Sequence, residues 1–357
     1  MLLLLWIGAH HPCGAQTVTS SNLPVIIINT NGQQILDDPK ISADMGIIWN
    51  AGNAVNNVTD SFNHYNGKIG IELRGQSSQM FPMKSYGFEL RNSGDNSISK
   101  SLFGLPAESD WILYAPYNEK TLLHNFLAYT MSREMGHWAA NCRYVEVVIN
   151  GVYQGIYVFM EKIKRKAGRV NISALSSTDN SGDAVTGEYI FSIDKDANAW
   201  FSQYPADKGR IQYSYVYPKA ANITSAQKNY IQQYTDSFEA ALHAPQYQDK
   251  QNGWRKFADE NSFIDYFIVN EVSRNVDGYR ISTYLNKDRN SKGGKINAGP
   301  VWDYDLAFKN ANYCNGSNTD GWSYQFNSIC ADDFWQVPDW WKIMMTDTAF
   351  KNNLRCR

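Results

Sequence analysis

A chain of 357 residues with 43% hydrophobic and 19% charged side chains can bury a sizeable core, which excludes the fibrous and disordered classes. Lys and Arg number 33 against 35 Asp and Glu, a net charge of -2, so neither a nucleic acid nor an anionic membrane surface is implied as a partner. Aromatic residues reach 14%, with 22 Tyr and 11 Trp, a level that suits core packing and surface patches as well as ligand stacking.

The first element in chain order is a short apolar run, Leu2 to Ala9, followed by the small-residue stretch Gly14-Ala15-Gln16. This is the layout of a secretory signal over residues 1–16, with an uncharged start. The run is too short to span a membrane and no other stretch approaches that length, so no transmembrane segment is expected. The mature part, 17–357, is expected to be secreted or otherwise extracytoplasmic, and a continuation past Arg357 stays open.

"LPVIIINT" from Leu23 reads as a buried strand closed by the Asn31-Gly32 turn. "KIGIELRG" (68–75) and "SYGFELR" (85–91) alternate as strands around the polar loop "QSSQMFPMK", and "DWILYAP" is a short strand. Apolar residues at 122, 123, 126, 127 and 131 give a helix begun by Thr121 and stopped by Gly136. In "YVEVVINGVYQGIYVFMEKI" two strands flank Asn150-Gly151, the preferred two-residue hairpin turn. A polar loop from Ser176 to Thr186 precedes the strand "GEYIFSID". Thr224 caps an amphipathic helix to about His243, and a second helix covers Asn261–Asn275. "GYRISTYL" and "GKINAGPVW" are two further strands. Strand-rich sequence to about 217 and helix-rich sequence after it predict an α+β fold, with a sheet-rich N-terminal lobe (about 23–217) and a helical C-terminal lobe (about 218–357).

The chemistry concentrates between Asn270 and Phe308. Asp277 lies just past a helix, and Asp303 and Asp305 lie past the second of two strands, so a hairpin would bring three carboxylates together. Mg²⁺ takes carboxylate oxygens and keeps waters or phosphates in its other positions, while a carboxylate off the metal can orient or deprotonate a hydroxyl. The competing reading is that Asp residues fill turns for local hydrogen-bonding reasons. The loop after Arg74 carries Ser77, Ser78 and Lys84, groups able to cradle phosphates, although a polar hairpin loop would look the same. Glu161 and Lys162 read either as a buried or lysine-orienting pair or as a surface strand end. Cys142, Cys314, Cys330 and Cys356 form no CxxC, so a zinc ribbon is not expected. Cys314 and Cys330 bracket a polar loop and could be bridged in an oxidising compartment, with the pairing left open.

"RGQSSQMFPMKSYGFEL", "NEKTLLHN", "NGVYQGIYVFMEKI", "NEVSRNVDGYRISTYLNKD" and "GPVWDYDLAF" together resemble the spore-coat protein H (CotH) kinase-like family, in that family's order, from about Leu23 to Cys314. The resemblance implies an atypical protein-kinase-like fold that uses ATP and Mg²⁺ to phosphorylate proteins. It implies that Asp277 handles the proton of the substrate hydroxyl and that Asp303 binds metal, with Asp305 as the alternative. Arg74 and Lys84 would touch phosphates, with Ser77, Ser78, Glu161 and Lys162 lining the nucleotide site. Where kinases carry a metal-binding Asn five residues after the catalytic Asp, this chain has Ser282, a neutral hydroxyl. Two other functions stay in play: transfer of another group, such as AMP or an amino acid, on the same fold, and a non-enzymatic surface-adhesion or coat-assembly module. Carboxylate-based glycoside hydrolysis has no signature here. Oligomeric state is left open by the sequence.

Overall fold

Apolar alternation in the first 160 positions closes a sheet on itself. The computed structural model describes residues 17–52, 54–195, 200–204 and 211–357, so the expected signal, 1–16, lies outside the described residues. Seven strands form a closed barrel: β1 (Val25–Asn29), β2 (Ile41–Ile48), β3 (Tyr65–Arg74), β4 (Ser85–Arg91), β5 (Asp110–Tyr114), β6 (Cys142–Ile149) and β7 (Val152–Glu161). Their order around the barrel is β1-β2-β3-β4-β5-β7-β6. The β1–β2, β2–β3, β3–β4, β4–β5 and β6–β7 ladders are antiparallel, and the parallel pairing of β1 with β6, Val25 opposite Glu146, completes the ring. Closure leaves no strand edge exposed for pairing with another chain.

Strand periodicity fills the barrel. Ile69 and Ile71 of β3, Phe88 and Leu90 of β4, Trp111 and Leu113 of β5, Val145 and Val147 of β6, and Tyr157 and Phe159 of β7 all point into one buried cluster. Trp111 stacks on Phe159 with ring centroids 4.9 Å apart. The β6–β7 turn uses Asn150 and Gly151, both with positive φ (52° and 77°), as a two-residue turn between right-twisted strands requires. Asn150 also accepts a hydrogen bond from the Thr30 backbone N–H at 2.9 Å, fixing the hairpin to the end of β1.

The compact units do not follow a single cut near 217. Residues up to Tyr117 together with Cys142–Met160 make one unit, and Asn118–Asn141 with Glu161–Arg357 make the second. The second unit has its own five-stranded antiparallel sheet, built from β8 (Tyr189–Ile193), β9 (Trp200–Phe201), β10 (Gln212–Tyr217), β11 (Thr283–Lys287) and β12 (Ile296–Ala298) in the order β9-β10-β8-β11-β12. The fold is therefore mixed α and β, as expected, but the C-terminal part is not helical alone: it carries a sheet assembled from strands more than 90 residues apart in sequence, Ile190 opposite Asn286.

Three longer helices belong to this unit: α1 (His124–Glu134), α2 (Ser225–His243) and α3 (Glu260–Ser273). At α2 the Thr224 hydroxyl accepts from the Gln227 N–H while the Gln227 side chain accepts from the Thr224 N–H, a reciprocal cap. Asp259 caps α3 through Ser262 N–H at 2.8 Å. Nine of the 14 residues of α3 are buried, from Ser262 to Ser273, which makes it the central helix of the unit. It stops at Arg274, in the left-handed region at φ 46°.

Candidate active site

The leucines of the apolar stripe on α1 are not on its buried face. Leu123 and Leu127, on the apolar stripe, are each 42% exposed, whereas His124, Asn125, Ala128, Tyr129 and Ser132 are buried. The buried polar face has a purpose, because it grips the backbone of residues 303–305. Asp303 N–H donates to Tyr129 Oη at 3.2 Å and Tyr304 N–H donates to Asn125 Oδ1 at 2.7 Å. His124 Nδ1 lies 3.1 Å from the Asp305 carbonyl oxygen. Thr121 does not start this helix alone: the Glu119 carboxylate, buried at its N-terminus, accepts from the N–H groups of Thr121 (2.7 Å) and His124 (3.2 Å) and from the Thr121 hydroxyl. A negative charge there satisfies orphan donors and suits the helix dipole.

Two asparagines complete the support. Asn118 Nδ2 donates to Asp305 Oδ2 at 2.6 Å, and Asn310 Nδ2 donates both to the Asn118 carbonyl (3.1 Å) and to the Asp305 carbonyl (2.7 Å). Asp303 is held with φ at 64°, a left-handed conformation that its short polar side chain tolerates. The segment is tied to the end of α3 by Phe308 N–H donating to the Ser273 carbonyl at 2.7 Å.

Past α3 the chain winds through a tight loop that presents Asp277. Asn275 N–H returns to the Asn270 carbonyl (3.0 Å), Asp277 N–H donates to Asn275 Oδ1 (3.2 Å), and Ile281 N–H donates to the Asp277 carbonyl (3.1 Å). Gly278 is required by close approach, since a Cβ there would lie 2.4 Å from Asn270 Oδ1. Asp277 Oδ1 accepts from Arg280 Nη2 at 2.6 Å and from Tyr313 Oη at 2.8 Å. Arg280 is 2% exposed and is itself fixed by the Val276 carbonyl (3.0 Å), Asp333 Oδ1 (3.3 Å) and the Trp335 carbonyl (3.0 Å).

These two segments meet electrostatically. Burial raises the Asp305 carboxyl above the usual carboxylate range, the Asn118 hydrogen bond opposes that, and the negative charge of Asp277 raises it further. A buried carboxylate raised in this way suits a divalent cation, whose charge would offset both its burial and the nearby negative charge. Asp303 is exposed instead, with the Ser282 hydroxyl 3.5 Å from its Oδ2. Among the described residues no group of three His, Cys, Asp or Glu side chains is placed to hold an ion unaided. That donor set fits Mg²⁺, which binds through one or two carboxylates and completes its shell with water and phosphate oxygens.

The family described as CotH kinase protein matches residues 71–357, a span that includes every one of these groups. The chain belongs to that family. Comparison with curated proteins found no match.

Among the other candidate residues of this CotH-family chain, Arg74, Ser77, Ser78 and Lys84 lie in the barrel unit. Ser77–Met80 is a single 3₁₀ turn. Gly75 has φ 90°, and a Cβ on it would fall 2.0 Å from Ser78 Oγ, so glycine is what lets the loop fold over its own serine. Lys84 Nζ donates to the Gln79 and Phe81 carbonyls, both at 2.6 Å, which spends two of its three N–H groups on holding the loop shut.

Glu161 belongs to the second unit and is fully buried, not a surface strand end. It accepts from Asn141 N–H (3.0 Å) and Asn141 Nδ2 (2.8 Å), and the Arg169 guanidinium, 2% exposed, sits 3.5 Å away. Arg169 Nη1 also donates to the Lys162 carbonyl at 2.7 Å, which places Lys162 beside the same buried pair. Sequence reasoning did not single out Asn118, Glu119, His124, Asn125, Tyr129, Arg169, Arg280 or Tyr313. The signal present for α1 was the "HN" pair sharing a helix face with Tyr129, polar groups at positions that the tertiary fold buries.

The disulfide joins Cys314 to Cys330 across 16 residues, with Cα atoms 5.5 Å apart. Such a bond is compatible with an oxidising, extracytoplasmic compartment. No described helix is long and apolar enough to cross a membrane.

Proposed function

We propose that the chain is an ATP- and Mg²⁺-dependent phosphotransferase that phosphorylates hydroxyl groups of secreted or surface proteins. The observation that supports this most is that Asp277 and Asp305 sense each other's charge inside the CotH-matched region, one carboxylate held by Arg280 and Tyr313 and the other by Asn118. Both partners of Asp277 bond Oδ1, and in this reading Oδ2 receives the proton of the acceptor hydroxyl as its oxygen bonds the γ-phosphorus and ADP departs. Asp305 would hold the cation, with Asp303 as the other candidate ligand, and Ser282 would offer a neutral hydroxyl where kinases carry a second metal ligand. The bound cation supplies neutralisation of charge on the transferring phosphoryl group.

His124, Asn125 and Tyr129 bind no ligand in this reading; they fix the backbone that carries Asp303 and Asp305. Arg74, Ser77, Ser78 and Lys84 are proposed as nucleotide-phosphate contacts on the chemistry of their own loop, where Lys84 keeps one N–H to give. Glu161 and Lys162 are proposed to act through the Arg169 scaffold rather than on the nucleotide itself.

Thermal melting with ATP and Mg²⁺ tests the reading. A ligand that binds only the native state must raise the melting temperature, so wild type should gain several degrees with both present and little with ATP plus a chelator. Asp305→Ala and Asp303→Ala should each reduce the gain, and Asp277→Ala should keep it. A folded wild type that gains nothing would overturn the nucleotide site and leave the adhesion or coat-assembly function in its place.

A further inference from the structure

Among the described residues, the groups that hold Asp277 or its partner Arg280 from outside their own loop lie between Tyr313 and Trp335. Tyr313, whose hydroxyl meets Asp277 Oδ1 at 2.8 Å, immediately precedes Cys314. Asp333, which accepts from Arg280 Nη1 at 3.3 Å, follows Cys330 by three residues, and its own N–H donates to the Cys330 carbonyl at 3.1 Å. Trp335 offers Arg280 a carbonyl at 3.0 Å, and the Phe326 ring, between the two cysteines, lies 4.0 Å beneath the Arg280 guanidinium.

The Asp277–Arg280 pair is thus gripped from two sides by residues flanking the two ends of the disulfide. The segment has little regular structure: between the cysteines it contains a three-residue 3₁₀ turn and one helix of four residues, tied at its middle to Glu271 by the Ser323 and Tyr324 N–H groups, while its Tyr313 end relies on the bridge. A covalent tie restricts a segment most where few hydrogen-bonded elements do so.

We infer that Tyr313 is a positioning residue for Asp277 and that the Cys314–Cys330 disulfide holds it there, so that group transfer by this protein depends on the bridge being intact. The inference rests on the phosphotransferase reading for its effect on activity, but its structural half does not. Tyr313 does not compete with the acceptor, because it bonds Oδ1 and leaves Oδ2 to take the proton. Reduction would proceed by an added dithiol giving two electrons and two protons to the bridge, which yields two thiols while the dithiol becomes its own disulfide. The loop keeps its own anchors, the Ser323 and Tyr324 N–H groups on the Glu271 carboxylate at 2.7 and 2.9 Å, but the direct covalent tie between the Tyr313 end and the Asp333 end is gone, and the Asp277 carboxylate is held less firmly. A hydrogen bond to a charged group is worth roughly 10- to 100-fold in an equilibrium, and a similar loss of rate is expected.

The test uses the whole chain in three forms: oxidised wild type, dithiol-reduced wild type, and Tyr313→Phe. Hydrogen exchange is read on the peptide covering 276–282, with melting temperature as the control for global folding. The account expects exchange at the Gly278 and Ile281 amides to rise about 10-fold or more on reduction and in Tyr313→Phe, while barrel peptides stay unchanged. In the phosphate-transfer assay kcat should fall roughly 10- to 100-fold with the KM for ATP held. Reducing Tyr313→Phe should add little to its defect, since both changes remove the same contact.

Unchanged protection of 276–282 in reduced wild type and in Tyr313→Phe would overturn the inference whatever the activity. Defects of reduction and Tyr313→Phe that simply multiply would overturn the link between them. If protection is lost as expected but oxidised wild type transfers no phosphate, the clamp stands and the phosphotransferase reading falls. Where reduction unfolds the chain, the Tyr313→Phe protection result alone decides.

Discussion

Glu239 and Asp277 both belong to the second unit, and their surroundings use a carboxylate in opposite ways. Glu239 is fully buried on α2 and receives only neutral donors: the Ser202 hydroxyl at 2.7 Å, Tyr213 Oη at 2.8 Å and Trp340 Nε1 at 3.1 Å. Burial wins over those bonds and raises its carboxyl to about 7. Asp277 is partly exposed and paired with a buried Arg280, and its charge is felt by a second carboxylate, Asp305. One site takes a carboxylate out of water and joins elements together. The other holds a carboxylate rigid while keeping it within reach of a ligand. In the proposed reading a functional acid is marked by rigidity combined with access, and not by burial alone.

The largest expected effect breaks the comparison at its functional end. Asp277→Asn keeps the shape and removes the base, and phosphate transfer should fall by roughly 10²- to 10⁴-fold with the nucleotide melting shift retained. Unchanged transfer would assign the proton to another group.

At the structural end, Glu239 makes stability depend on pH with a defined sign. As pH rises from 4.5 the unfolded chain gives up this proton first, and the folded chain keeps it until about 7. The folded state therefore loses stability across that window, and the loss, about 3 kcal/mol, is complete above it. Urea unfolding of Glu239→Gln at pH 5 and pH 8 should show most of that difference gone. An equal pH slope in the variant would mean that the carboxylate is not the source.

Smaller effects separate the two faces of α1. Asn125→Ala leaves the buried Tyr304 N–H without an acceptor and should cost about 1–3 kcal/mol, with a parallel loss of transfer as residues 303–305 shift. Gly278→Ala forces a Cβ against Asn270 and should cost about 1–3 kcal/mol. Leu127→Gln, on the exposed stripe, should stay within about 0.5 kcal/mol of wild type. A large loss from Leu127→Gln with none from Asn125→Ala would reverse the orientation assigned to the helix.

The same helix shows where the sequence stops being legible. Local chemistry announced the Asn150-Gly151 hairpin, the Thr224 cap and the strands 85–91 and 110–114, because turn residues, caps and period-two alternation act within a few positions. Barrel closure was not legible, since it depends on Val25 meeting Glu146 across the chain, and β2 hides behind Ser42, Asp44 and Gly46 in its own pattern. In the site, the acids at 277, 303 and 305 stood out as residue types. Their supports did not, because His124, Asn125 and Tyr129 look like ordinary helix surface until the fold buries them. Apolar periodicity located α1 but did not show its buried face, which hydrogen bonds to a backbone segment about 180 residues downstream determine.

The central claim is that Asp277 and Asp305 serve phosphoryl transfer from ATP. It is tested most directly by incubating the oxidised chain and candidate secreted proteins with Mg²⁺ and ATP labelled at either the γ- or the α-phosphate. The account predicts protein-bound label from γ-labelled ATP alone, absent with Asp277→Asn and without Mg²⁺. Label from the α position would contradict it in favour of AMP transfer, and no label from either, with a folded protein, would contradict enzymatic transfer from ATP altogether.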